Sequence, residues 1–161
     1  MTDKIGVIDT MFARYDMGAE AIDELQSCEG FGARFEIIHR TVPGFKDLGV
    51  ECKRMIENHG CAIVIALGMA GGAPVDQVCA HEASQAIGLA QILTNTHVLE
   101  VFVHENESDD PDVLAHVCAD RARKHARNAY WMLYEPEQLT RRAGMGVRQG
   151  FPDAGPLLPE P

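Results

Sequence analysis

Glu100 and His104 are residue types that move protons, and both stand in an otherwise apolar run, VLEVFVH, from Val98 to His104. If the run is a strand, Val98, Glu100, Phe102 and His104 share one face, because side chains alternate. A carboxylate buried alone there is costly, so Glu100 must meet a hydrogen-bond partner, water at a sheet edge, or a ligand. His104 falls at the carboxyl end of the strand; His97 falls at the other end, about 20 Å away at ~3.3 Å per residue. The stretch GMAGGAPVDQVCAHEAS, from Gly68 to Ser84, reads as a glycine-rich turn that becomes a helix. Such turns often cradle phosphate, but Gly71 and Gly72 lead into Ala73 and Pro74, with neither a P-loop Lys-Ser/Thr pair nor the dinucleotide spacing. His81, about 9 Å beyond the turn at ~1.5 Å per residue, reads as an interior histidine. No GxSxG elbow is present, His81 and Glu82 lead only into Ala83 and Ser84, and no histidine spacing suits a metal.

Four short apolar, β-branched runs would position these groups: Lys4 to Asp9, Arg34 to Arg40, Cys61 to Leu67 and Val98 to His104. Each precedes a helical pattern. Leu48, Cys52, Met55 and Ile56 recur at i, i+4, i+7 and i+8, an apolar stripe. The third helix is expected from Pro74 to about Leu93, and the last opens with Asp110 as N-cap and Pro111 at its first position. Alternating strands and helices with near-continuous apolar strands predict an α/β domain over residues 1–134, a parallel four-stranded sheet covered on both faces. So small a sheet has edges to protect, which points to a second copy of the chain. Residues 135–161 show no period and are rich in Gly and Pro; they read as a C-terminal arm, either disordered or extended over a neighbour.

In open parallel sheets ligands bind beyond the carboxyl ends of the strands. The loops there are DTMFARYD, TVPGFKD, GMAGGAPVD and HENESDD. Phe12 is either a loop anchor on its own helix or a stacking surface. Pro43 and Gly44 turn the backbone sharply, and Asp47 is either a first-turn acid favoured by the helix dipole or an acceptor for a ligand hydroxyl. An aromatic, a sharp turn, uncharged glycines and a few acceptors suit a flat, neutral heterocycle bearing hydroxyls.

Composition narrows the partners. At 161 residues the chain is one domain by size. Its net charge of −10 argues against nucleic acid and anionic membrane. The basic cluster RARKHAR, Arg121 to Arg127, reads as a solvated or intersubunit face. Five cysteines without a CxxC pair read as core residues of a reducing cytoplasm. There is no apolar run of ~20 residues, and the first strand starts too early for a signal peptide.

Taken together, DTMFARYDM, TVPGFKDL, ALGMAG with VCAHEAS, TNTHVLEVFVHENE and LTRRAGMGVRQGFPDAGP resemble the archaeal-type riboflavin synthases over nearly the whole chain. That family is similar to lumazine synthase. The resemblance implies a flavodoxin-like three-layer sandwich, a homopentamer, and the conversion of two 6,7-dimethyl-8-ribityllumazine molecules into riboflavin and a ribitylaminopyrimidinedione. It implies that Phe12, with Thr10 and Ala13 beside it, stacks on the heterocycle. Val42, Pro43, Gly44 and Asp47 would hold the ribityl chain, and Gly68 and Met69 would line the third loop. Glu100 would reach into a neighbouring subunit's site, with Glu100 or His104 transferring the proton; no cofactor is required, though Mg2+ is associated with the family. One departure stands out: lumazine synthases carry a histidine after the third strand, and none lies between Gly68 and Asp76 here.

Overall fold

A computed structural model describes residues 1–158. Four strands form the sheet: β1 (Asp3–Thr10), β2 (Phe35–Val42), β3 (Ile63–Ala70) and β4 (Val98–His104). Between them run α1 (Met17–Gln26), α2 (Phe45–Glu57) and α3 (Pro74–Thr94); after β4 come a short 3-10 turn (Glu105–Glu107), α4 (Pro111–Tyr134) and α5 (Glu137–Arg142). The order is β2-β1-β3-β4, all parallel. β2 and β4 are therefore the edges. This is the three-layer, flavodoxin-like arrangement expected from the alternation.

Local chemistry explains the helix starts. Asp16 accepts the Ala19 N–H at 2.9 Å, and Asp110 accepts that of Asp112 at 2.9 Å ahead of Pro111. Pro74 opens α3, where its missing N–H costs nothing. Every residue of central β3 is buried, as strands covered on both faces require. Ile5, Val7, Ile65, Leu67 and Val103 pack against α1 and α4; Ile8, Val64, Ala66 and Val98 pack against α2 and α3. Gly49 lets α2 and α3 close together, since a Cβ there would lie 2.6 Å from that of Ala86.

Several expectations need correction. The glycine-rich turn does not begin at Gly68: β3 runs on to Ala70, leaving only residues 71–73 as the loop. His81 is exposed on α3, with its Nε2 3.3 Å from the Gln85 amide, because the inward face of that helix is taken by Ala80, Ala83 and Ile87. The basic cluster on α4 is a partly solvated face that also pairs with its own chain: Arg123 with Glu20 (2.6 Å) and Asp23 (2.7 Å), and Arg127 with Glu24 (2.7 Å). The segment after Tyr134 contains α5, and Arg148 to Gly150 are tied to α4. Residues 159–161 of the expected arm lie outside the described residues.

Candidate functional site

At the carboxyl ends of β1 and β2 lies a depression of about 350 Å³, bordered by Phe12, Pro43, Gly44 and Asp47. Four residues singled out in the sequence thus meet in one place. Backbone bonds bring the two loops together: Met11 N–H donates to the Val42 carbonyl (2.8 Å) and Phe12 N–H to that of Pro43 (3.2 Å). Val42, nine-tenths buried, anchors this turn in the α2/α3 core. Phe12 remains 52% exposed, so its ring is not consumed by packing on its own helix. Asp47 accepts the Gly44 N–H at 3.3 Å and donates its own N–H to the Gly44 carbonyl at 3.2 Å, which makes it the cap of α2 as well as a wall residue.

The remaining wall was not legible beforehand. Phe45, Lys46, Asp76 and Cys79 also border the depression. Phe45 is buried and meets Phe102 edge-on at 4.6 Å. Its ring occupies the space a Cβ at Gly68 would need, 2.6 Å away, so Gly68 serves the packing beneath the site. The Asp76 carboxylate likewise lies where a Cβ at Gly71 would fall, 2.3 Å away, and Gln77 donates to the Gly71 carbonyl at 2.8 Å. Neither glycine has a positive φ. Lys46 pairs with Glu82 of α3 at the rim. TVPGFKD did place a lysine beside the turn, but its partner is 36 residues further on.

Thr10, Ala13 and Gly68 border a second depression, about 390 Å³, together with Asp9 and His39. His39 Nε2 meets Asp9 Oδ2 at 2.8 Å; a Cβ at Gly18 would fall 2.0 Å from the same oxygen, so the pair requires glycine there. Thr10 is buried and its hydroxyl has no partner. Met69 faces the α1/α4 core, away from Phe12.

Glu100 and His104 border neither depression. Glu100 accepts from the Ser84 hydroxyl at 2.6 Å, which answers its need for a partner within the chain. His104 ends β4 in register with Ala70, with Nδ1 buried and unpartnered. Its amide donates to Glu107 at 2.8 Å. Burial works to raise the Glu107 pKa, yet the hydrogen bonds from Arg121 and the His104 amide outweigh it and hold the carboxyl below its usual range. Burial pushes the thiols of Cys61 and Cys118 up to about 11, so both stay protonated core residues. No group of three or more His, Cys, Asp or Glu among the described residues could hold a metal ion.

A family model described as 6,7-dimethyl-8-ribityllumazine synthase matches residues 2–136. The chain belongs to that family. Within it, the chain is 58% identical over 154 residues to a riboflavin synthase of Methanothermobacter thermautotrophicus, covering 96% of this chain and 99% of the relative. It is 57% identical to that of Methanothermobacter marburgensis, with the same coverage, and 43% identical to that of Archaeoglobus fulgidus, covering 96% and 99%. Residues 71–73 hold no histidine, and His81 lies two turns into α3.

Proposed function

We propose that the protein is a transferase that converts two molecules of 6,7-dimethyl-8-ribityllumazine into riboflavin and 5-amino-6-(D-ribitylamino)uracil. One lumazine gives up a four-carbon unit and leaves as the aminouracil; the other takes the unit up. The atoms of two identical molecules are redistributed, so no oxidant or co-substrate is needed. The observation that carries this reading is the 58% identity over 96% of the chain to a riboflavin synthase. The Phe12 depression supports it: an exposed aromatic for stacking, the Pro43–Gly44 turn with its polar backbone, and Asp47 as an acceptor for ribityl hydroxyls.

A volume of about 350 Å³ is at the low end for small-molecule pockets, which run from ~300 to ~1,000 Å³. Two stacked heterocycles need a further wall. We assign it to a second copy of the chain in a homo-oligomer, a pentamer by family resemblance, with Glu100 reaching in from that copy and either Glu100 or His104 as the proton-transfer group. Thr10, Ala13, Gly68 and Met69 then support the loops. Pinning two copies of substrate together is worth ~7–11 kcal/mol, whereas a placed acid or base adds about 10²–10⁴-fold. Positioning is the larger contribution. No helix of the described residues is long and apolar enough to cross a membrane; action in the cytoplasm is proposed from the family resemblance.

The test is purified protein given dimethylribityllumazine alone. Riboflavin absorbance should rise without any phosphorylated co-substrate. A requirement for a four-carbon phosphate would make it a lumazine synthase, and fluorescence quenching without turnover would make it a carrier. Mixing Phe12→Ala with Glu100→Gln chains should restore part of the activity if the site is shared; mixed oligomers that stay inactive would refute sharing.

A further inference from the structure

One side chain gathers the carboxyl end of β4 and the C-terminal segment. Arg121, on α4, has only 13% of its side chain exposed. Nη1 and Nη2 donate in parallel to the two oxygens of Glu107 (2.8 and 2.9 Å), Nη1 also donates to the Phe102 carbonyl of edge strand β4 (2.9 Å), and Nε to the Gln149 carbonyl (3.3 Å). The Phe151 ring lies 5.4 Å from the guanidinium carbon. Glu107 closes the chain of contacts by accepting the His104 N–H. Nδ1 of His104 is buried without a hydrogen-bond partner, while Glu107 holds the backbone amide of the same residue.

The seat on α4 is shaped for this segment. Lys124 donates to the Arg148 carbonyl (3.1 Å), and Asp120 accepts the Gly150 N–H (2.8 Å). Gly150 has φ +89°, and a Cβ there would stand 2.8 Å from Arg121 Nε and Nη2. Only glycine fits. A guanidinium is a planar fork with fixed donor directions, so displacing one partner turns the group away from the others.

We propose that the segment Arg148–Phe151 is a positioning element of the reacting site, acting through Arg121 and Glu107 on the His104 end of β4. This rests on the reading that this end of β4 belongs to the site. Docking of the segment fixes the fork; the fork fixes Glu107 and the Phe102 carbonyl, and these set the backbone that aims His104.

The experiment uses the assembled full-length protein, a Gly150→Ala variant, an Arg121→Lys variant, and a chain ending at Val147. Amide exchange read by mass spectrometry should speed up by about 10-fold or more in residues 98–108 of the Gly150→Ala and shortened chains, with β1 to β3 unchanged. With dimethylribityllumazine, kcat should fall by about 10-fold or more, since ~1 Å of misplacement can cost ~100-fold, while KM stays within about 3-fold. Arg121→Lys keeps the charge and loses the fork, and should resemble Gly150→Ala. Unchanged exchange at β4, or faster exchange with unchanged kcat, would overturn the proposal, as would a rise in KM alone. If the shortened chain does not fold, Gly150→Ala decides. A wild-type protein that makes no riboflavin would refute the functional reading instead, and the exchange data would still judge the mechanical link.

Discussion

The two helix layers cover the same sheet in opposite ways. α1 and α4 are laced across their outer sides by Arg123 with Glu20, Asp23 and Glu24, and by Arg127 with Glu24. Such a surface is satisfied in water. α2 and α3 approach through Gly49 and Ala86, and α3 then leaves Val75, Val78, Leu89, Ile92 and Leu93 outward, between 54% and 81% exposed. These exposed residues form two groups, one at each end of the helix, with the exposed His81, Glu82 and Gln85 between them; apolar patches larger than scattered single residues are candidates for contact with a partner. The depression holding Phe12 opens beside this second layer, through Asp76 and Cys79 of α3. The α1/α4 layer carries the denser ion-pair lacing, whereas the α2/α3 layer, joined among the described residues by the single Lys46–Glu82 pair, exposes more apolar surface and is the one we propose meets another copy.

The largest expected effect comes from attacking the apolar layer. Leu89→Glu with Ile92→Glu places charges where a contact would desolvate them, so sedimentation should show the assembly reduced to monomer. Riboflavin formation should then fall by about 100-fold or more, since misplaced reactants lose that much. Monomers that retain full activity would refute a shared site. Gly49→Val probes the inner side of the same layer: overpacking against Ala86 should cost about 1–3 kcal/mol, read as a lower urea midpoint.

On the ion-paired layer the effects are smaller. Burial, aided by the charge of Arg121, pushes the His125 pKa down from 6.5 to about 4. Between those values the unfolded chain binds the proton more readily than the folded one, so stability is complete above about pH 6.5 and falls as the pH drops toward about 4. His125→Gln should flatten this stretch of the urea-midpoint profile; an unchanged slope would remove His125 as its source. Arg123→Ala should cost under about 1 kcal/mol, because its partners sit at a partly exposed surface. A larger loss in thermal unfolding would mean that these pairs act as a network.

Local patterning determined much of this protein. The apolar runs located all four strands, Asp110 with Pro111 set the start of α4, and the VPG turn located one wall of the Phe12 depression, because periodicity, capping and turn chemistry act between near neighbours in sequence. α5 escaped because its six residues are too short to display a period. Tertiary structure alone decided that His81 points to solvent, that Gly68 belongs to a strand and makes room for Phe45, and that Asp9 pairs with His39. It also decided that the basic cluster of α4 grips α1 about 100 residues away, and that Arg121 joins β4 to the C-terminal segment. Those contacts depend on which elements end up side by side, a property of packing around the sheet that no stretch of sequence carries by itself.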